Sequence, residues 1–435
     1  MNRDDAGRSR AVKAWCLYDW ANSAFATTIM AAVFPVYYGA VAARGLEPAT
    51  ATSYWGYTNT AGMILTALVA PALGAMADHS GLRKRFLFIF AGLGILFTAA
   101  MVTIGTGEWK KASVLYVLAL FGWSAANIFY DSLLPHVAGQ GCIDQVSSRG
   151  YAFGYLGGGI LLALNIVIIQ PGVVGLERFP GIPDVESATR FSFFSVALWW
   201  AFFSIPLFRH VEEPPVATAA GESGNPFLAG FQRISRTLRD IRLYRELFRF
   251  LVAFWLYNDG ITSIIIMAAI FGQEIGIGQE HLIGAILMVQ FVGIPFTILF
   301  GRIAGRLGTK RSLYITLFVY CLIAIGGYFI QEALHFWLLA LAVAAVQGGS
   351  QALSRSLFGR MAPRTKTAEF FGFYDVSSKF AGIVGPFLFA TVGLLSGSSR
   401  NGILVLIVLF LAGGFLLSLV DERKGEEVAK AEGYS

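Results

Sequence analysis

Long apolar runs alternate with short polar breaks along most of the chain. Crossing a hydrocarbon core about 30 Å thick takes about 20 helical residues. Scanning at that length finds twelve apolar runs, at roughly 14–39, 53–77, 86–106, 112–135, 150–170, 191–208, 248–272, 281–304, 312–331, 335–358, 370–396 and 402–420. Within lipid a lone segment satisfies its own backbone only as a helix. The pattern therefore predicts an all-α membrane protein with 12 transmembrane helices.

Composition agrees: 56% of the 435 residues are hydrophobic and 14% charged, where soluble domains carry about 25% charge. A net charge of +6 reports topology in such a chain, not an affinity for nucleic acid. Of the 33 Lys and Arg, 26 fall on the side that twelve spans give to both termini, 6 fall opposite, and Lys379 lies within a span. That bias predicts cytoplasmic termini and a place in the cell (inner) membrane. The first run is too long for a signal-peptide core, so a retained first span is expected. Cys16, Cys142 and Cys321 are far apart and the five His show no ligand spacing, so no disulfide, metal or cofactor is expected.

The longest internal loop starts with the Pro-, Gly- and Ala-rich "RHVEEPPVATAAGESGNPF" and continues with Phe227, Phe231, Ile234, Leu238 and Ile241 at helical spacing, with Arg233, Arg236, Arg239 and Arg242 on other faces. This reads as a linker followed by a basic amphipathic helix on the cytoplasmic leaflet, or as a helix packed under the bundle. The expected domains are a six-helix bundle over 1–208, a cytoplasmic linker over 209–247, and a second six-helix bundle with a short tail over 248–435.

The two halves repeat. "GAMADHSGLRKR" at 74–85 matches "GRIAGRLGTKR" at 301–311, "IMAAVF" at 29–34 returns as "IMAAIF" at 266–271, and "FYDSLLP" at 129–135 falls where "LFGRMAP" falls at 357–363. Homologous six-helix halves place a cavity at their interface near the midplane. With these features the chain resembles a major facilitator superfamily transporter. Gly74, Asp78, Gly81, Arg83 and Lys84 fit that superfamily's loop signature, with His79 and Leu82 as departures. The resemblance implies that Asp78 caps the eleventh helix and holds the cytoplasmic gate shut, as an anion at a helix N-terminus would; the basic residues also serve topology. "YDWANSAFATTI", "SSRGYAFGYLGGG", "GGSQALSRSLFGRMAP" and "AEFFGFYDVSSKFAGIVGP" narrow the resemblance to the vacuole-effluxer branch, which includes an exporter of amino acids.

A charge near a span's centre costs about 2.5–3.5 kcal/mol on insertion scales and usually faces the bundle interior. Asp19, with Asn22 and Ser23 one turn on, lies in span one, which the resemblance places at the central cavity with spans four, seven and ten. "WLYND" at 255–259 echoes "WCLYD" at 15–19, so Asn258 and Asp259 answer from span seven. The cluster is read as a substrate or proton site, or as a clamp on a neighbouring helix. Asp375 and Lys379 are four apart and fit a structural ion pair or a switchable gate. Gln347, Gln351 and Ser354 form a polar stripe in span ten; Arg355 is placed to hold a solute carboxylate or to close on Asp131, with Asn127 and Tyr130 opposite. Gly157–Gly159, Gly348, Gly349, Gly382 and Gly385 are expected at interfaces where the halves rock. "GIVGP" at 382–386 resembles an antiporter motif of span five but lies in span eleven, and carries no weight.

The chain is expected to be a monomeric secondary active transporter of a small polar solute such as an amino acid. Alternating access would drive it, with proton coupling through Asp19 or Asp259. The alternatives are efflux of amphipathic drugs or lipids, suggested by 37 Phe, and a non-transporting receptor or scaffold. No nucleophile–base set, metal spacing or phosphate loop points to an enzyme.

Overall fold

The computed structural model describes residues 3–80, 82–138, 143–177, 179–213, 244–361, 374, 377 and 381–431. The first helix, α1, runs Arg3–Ala24 and continues as a π-helix Phe25–Ala32, an α-helical turn Val33–Tyr37 and a second π-helix Tyr38–Ala42. There follow α2 (Pro48–Ser80), α3 (Arg83–Ala100), α4 (Trp109–Ala138), α5 (Ile143–Ile169), α6 (Val185–His210), α7 (Arg245–Glu274), α8 (Gln279–Leu307), α9 (Thr309–Tyr328), α10 (Ala333–Met361), α11 (Val384–Ser396), α12 (Ser399–Ser418) and a polar α13 (Glu422–Ala431). Among the described residues there is no strand, and ten helical stretches are long and apolar enough to cross a membrane. The shorter α11 is the described part of the run expected over 370–396. The amphipathic helix expected in the linker lies outside the described residues, as do Gly81, Asp375 and Lys379; the backbone of Gly74 and Asp78 lies in α2, and their side-chain surroundings are likewise outside.

The widened turns of α1 have a local cause. Thr27 Oγ1 donates back to the Ser23 carbonyl at 3.1 Å and to that of Ala24 at 3.3 Å. Three residues past the π-segment, Pro35 supplies no N–H and crowds the carbonyl four residues before it. A helix that loosens by one residue per turn absorbs both faults.

Helices α1 to α6 pack mainly on one another, as do α7 to α13. The core of the first set is aromatic: Phe34 lies among Trp55, Tyr116 and Phe193 at centroid distances of 5.3–5.8 Å. Lys84 joins α3 to the end of α6, its Nζ donating to the Phe208 carbonyl at 3.1 Å and its backbone N–H to Glu213 Oε1 at 2.9 Å. In the second set α13 lies across the ends of α7 and α10, and Arg360 approaches Glu422 at 3.5 Å and Glu426 at 3.6 Å.

The sets meet closely toward the α1–α2 and α7–α8 turns. Trp55 Nε1 donates to the Ile266 carbonyl at 3.2 Å, Tyr57 OH lies 3.4 Å from Thr391 Oγ1, and Gly39 lies against the Gln273 amide. The two sets are thus in contact at that end.

Candidate functional site

In the first set, polar groups gather where α1, α4 and α5 meet. Two faces of α1 serve different neighbours. Asn22 Nδ2 donates to Asn127 Oδ1 on α4 at 2.9 Å, and Trp123 Nε1 donates to the Asn22 carbonyl at 3.2 Å. Two turns earlier on α1 the Trp15 ring stacks on that of Tyr130, centroids 4.4 Å apart. Trp15 Nε1 donates to the Tyr130 carbonyl at 3.1 Å, and Tyr130 OH to that of Trp15 at 3.2 Å. Asp19 turns instead to α5, accepting from Ser23 Oγ at 3.4 Å. A Cβ at Gly150 would come within 3.0 Å of Asp19 Oδ2, and one at Gly154 within 2.5 Å of Ser23 Oγ. The glycines of α5 are what let the half-buried carboxylate sit between two helices.

Asp259 stands in the corresponding place in the second set, between α7 and α11, and it is 4% exposed. Its Oδ1 accepts the Gly382 N–H at 2.6 Å; its Oδ2 accepts those of Val384 and Gly385 at 3.0 Å each. The carboxylate caps the first turn of α11, where free N–H groups and the helix dipole favour an anion. Asn258 is buried beside it. The echo with "WCLYD" is thus kept for the aspartates but not for the tryptophans, since Trp15 is buried and Trp255 exposed.

The stripe on α10 divides. Ser354 Oγ pairs with Tyr257 OH at 2.7 Å, Gln351 is exposed, and Gln347 lines a cavity with Gln290 of α8. That cavity holds about 830 Å³ including its mouth and is otherwise walled by apolar side chains such as Phe271, Phe336 and Phe389, touching α1 at Ala31. Asp19 is not in its wall. Arg355 lies over the Tyr151 ring of α5, 4.9 Å from its centroid, a cation–π contact between the sets. Asp131 and Arg83 are half-buried.

The glycines differ from expectation. Gly157 and Gly158 fit α5 against Trp20 and Thr27 of α1, Gly348 and Gly349 fit α10 against Thr297 and Phe300 of α8, and Gly385 faces Ser263 of α7. All five tighten one set internally. Gly159, against Phe291 of α8, does face the other set. Gln290 and Thr60, which donates to the Ile383 carbonyl at 3.4 Å, were missed. Gln290 is a lone uncharged polar residue inside an apolar run, and Thr60 follows Thr58 and Asn59 in another. Among the described residues no cluster of three His, Cys, Asp or Glu could hold a metal.

Residues 41–430 match the family described as vacuole effluxer Atg22 like. The chain belongs to that family. It is 37% identical over 420 residues to the MFS-type transporter YxiO of Bacillus subtilis (strain 168), covering 96% of each chain. With autophagy-related protein 22 of Kluyveromyces lactis it shares 23% identity, over 83% of this chain and 77% of that one. Among solved structures, a D-xylose-proton symporter superposes with a TM-score of 0.69 at 16% identity, covering 96% of this chain and 98% of that one; this likeness is one of fold. The family, the all-α architecture and the multi-pass character agree with the sequence. These relatives are transporters, in keeping with a chain that moves a solute and is not an enzyme.

Proposed function

We propose that this Atg22-like protein is a secondary active carrier of small polar solutes, amino acids first among them, working by alternating access with proton coupling at Asp19. The supporting observation is the pair of polar contacts inside lipid-spanning helices: Asp19 with Ser23, and Asn22 with Asn127. Of the two echoing aspartates, Asp259 already accepts three backbone N–H groups. Asp19 caps no helix start: it accepts from Ser23 Oγ and sits beside the glycine face of α5. A carboxylate there can exchange a proton for a solute amine or hydroxyl at small rearrangement cost. The two helical sets act as the rocking halves, 1–208 and 248–435 joined by 209–247. The termini are cytoplasmic in the cell (inner) membrane, by the bias of Lys and Arg. In that orientation the end where the sets touch faces outward, and the chain works as a monomer. Asp78, Arg83 and Lys84, with Asp375 and Lys379, serve the inner gate.

The test is uptake of a radiolabelled amino-acid panel into proteoliposomes, with and without an imposed pH gradient. Gradient-stimulated uptake of one or more members is expected; no uptake of any would sink the substrate class. A second reading, efflux of amphipathic compounds, is favoured by the cavity where Gln290 and Gln347 stand as polar groups in an apolar wall. Pockets of this kind take largely apolar ligands oriented by a few polar contacts. Competition by such compounds in place of amino acids would select it.

A further inference from the structure

The segment "GIVGP" at 382–386 was left without a role, and its local chemistry supplies one. Gly382 has φ of +105°, a backbone conformation that side-chain-bearing residues reach only with strain. Gly385 lies so close to Ser263 Oγ and the Asp259 carbonyl that a Cβ would displace α7. Pro386, in the first turn of α11, has no N–H that would need an acceptor. The segment thus makes an elbow that delivers three N–H groups to the Asp259 carboxylate.

The outer side of the elbow is where α2 of the first set docks. Thr60 Oγ1 donates to the Ile383 carbonyl at 3.4 Å. A Cβ on Gly56 would meet the Pro386 carbonyl at 3.0 Å and Ala390 Cβ at 2.7 Å, and Met63 Cε approaches Gly382 within the reach of a Cβ, at 3.8 Å. Tyr57 packs on Phe387 with ring centroids 6.0 Å apart. Residues 56, 57, 60 and 63 form one face of α2 at helical spacing, and that face is laid along the start of α11.

We infer that Asp259 is a positioning residue for closure between the two sets: by capping α11 it fixes the elbow against which α2 docks. The carboxylate acts through the three amides it holds. Without the cap, α11 starts with free N–H groups in a low-dielectric setting. Those amides then seek other partners, and the surface offered to α2 changes. The inference rests on the alternating-access part of the proposed function but not on the identity of any solute.

The test places Ser53→Cys on α2 and Gly393→Cys on α11, where a Cβ at 393 would lie 3.7 Å from Ser53 Oγ, in a chain whose Cys16, Cys142 and Cys321 are replaced by alanine. The rate of oxidative cross-linking is then read in detergent-solubilised full-length protein without added solute. The pair cross-links readily when Asp259 is present. Loss of a side-chain cap shifts a helix-start equilibrium about fivefold, so Asp259→Ala is expected to lower the rate of cross-linking about fivefold. Asp259→Asn, which keeps one acceptor oxygen, is expected to fall between. Should Asp259→Ala fail to give monodisperse protein, Gly382→Ala carries the test, since it leaves the carboxylate and strains the elbow; the same loss is expected. A folded variant of either kind that cross-links at the parental rate overturns the inference. Failure of amino-acid uptake would leave this readout untouched, so the two ideas fall separately.

Discussion

The side-chain amide of Asn22 on α1 donates to the side-chain oxygen of Asn127 on α4 at 2.9 Å, with both residues buried. Burial shields both side chains from bulk water, so the pair should be worth more together than apart. Interhelical hydrogen bonds of this kind in membranes average about 0.6 kcal/mol and reach about 2. Asn127→Leu is expected to destabilise the protein by about 1 kcal/mol, because it strands the Asn22 amide. Asn22→Leu with Asn127→Leu should regain part of that loss, since no orphan is left. Unfolding in a denaturing detergent across the four-member cycle measures the coupling. Strict additivity would mean that the bond contributes nothing.

Close glycine contacts predict unequal losses for two similar substitutions. A Cβ on Gly122 of α4 would press on the backbone of α3, 2.7 Å from Gly94 Cα and 2.9 Å from the Phe90 carbonyl. Backbone cannot step aside without moving the helix, so Gly122→Ala should cost about 1–3 kcal/mol through overpacking. At Gly39 the obstacle is the terminal amide of Gln273, which can swing away. Gly39→Ala should lower the midpoint of thermal unfolding far less than Gly122→Ala. Equal shifts for the two would contradict the packing argument.

How far the sequence led can be judged from particular residues. The all-α, multi-pass character follows from apolar length, which needs no tertiary information, and ten of the described helical stretches are long and apolar enough to cross a membrane. Asp19 and Asp259 were found because charge in lipid is costly enough to stand out alone. Their differing roles were not legible: whether a carboxylate meets an intact helix, as Asp19 does at α5, or a helix start, as Asp259 does at α11, depends on where the partner chain breaks. Glycines misled for a related reason. A small residue marks close approach but not which helix approaches, so Gly348 and Gly349 were assigned between the halves when they pack α10 on α8. Arg355 was read as holding a solute carboxylate or closing on Asp131; its place over the Tyr151 ring was not legible, because a planar cation also pairs with an aromatic face.

Acid should weaken the loops and helix starts outside the membrane. Asp184 caps α6, accepting the Ser187 N–H at 2.7 Å, and that backbone bond holds its carboxyl below the usual carboxylate value. Asp421 at the start of α13 is lowered by the Lys424 backbone N–H and by the charge of Lys424; Glu108 is lowered by the Gly105 N–H and Lys111. A carboxyl lowered on folding adds stability that is complete above its unfolded pKa, about 4. That stability is lost as pH falls through the folded value. Thermal stability should therefore drop as pH falls from about 5 toward 3, and Asp184→Asn with Asp421→Asn should flatten the drop. An unchanged pH profile in the double variant would show that these caps do not contribute to it.

Asp19→Asn separates the three roles open to Asp19. The amide keeps an oxygen for Ser23 and nearly the same volume between Gly150 and Gly154, so folding and packing should survive. What it cannot do is gain or lose a proton in the pH range of transport. If Asp19 couples proton movement to solute movement, the variant should keep solute exchange down a concentration gradient and lose stimulation by a pH gradient, because exchange requires binding and reorientation but no net protonation. A direct solute contact predicts a different result: exchange itself falls, through weakened binding with an unchanged maximal rate. A purely structural aspartate predicts a third, with both activities intact and the cost appearing only as lower thermal stability. Proteoliposome exchange and gradient-driven uptake, measured on the same preparation, distinguish the three; coupling is the expected outcome, and full gradient stimulation in Asp19→Asn would remove Asp19 from the proton path.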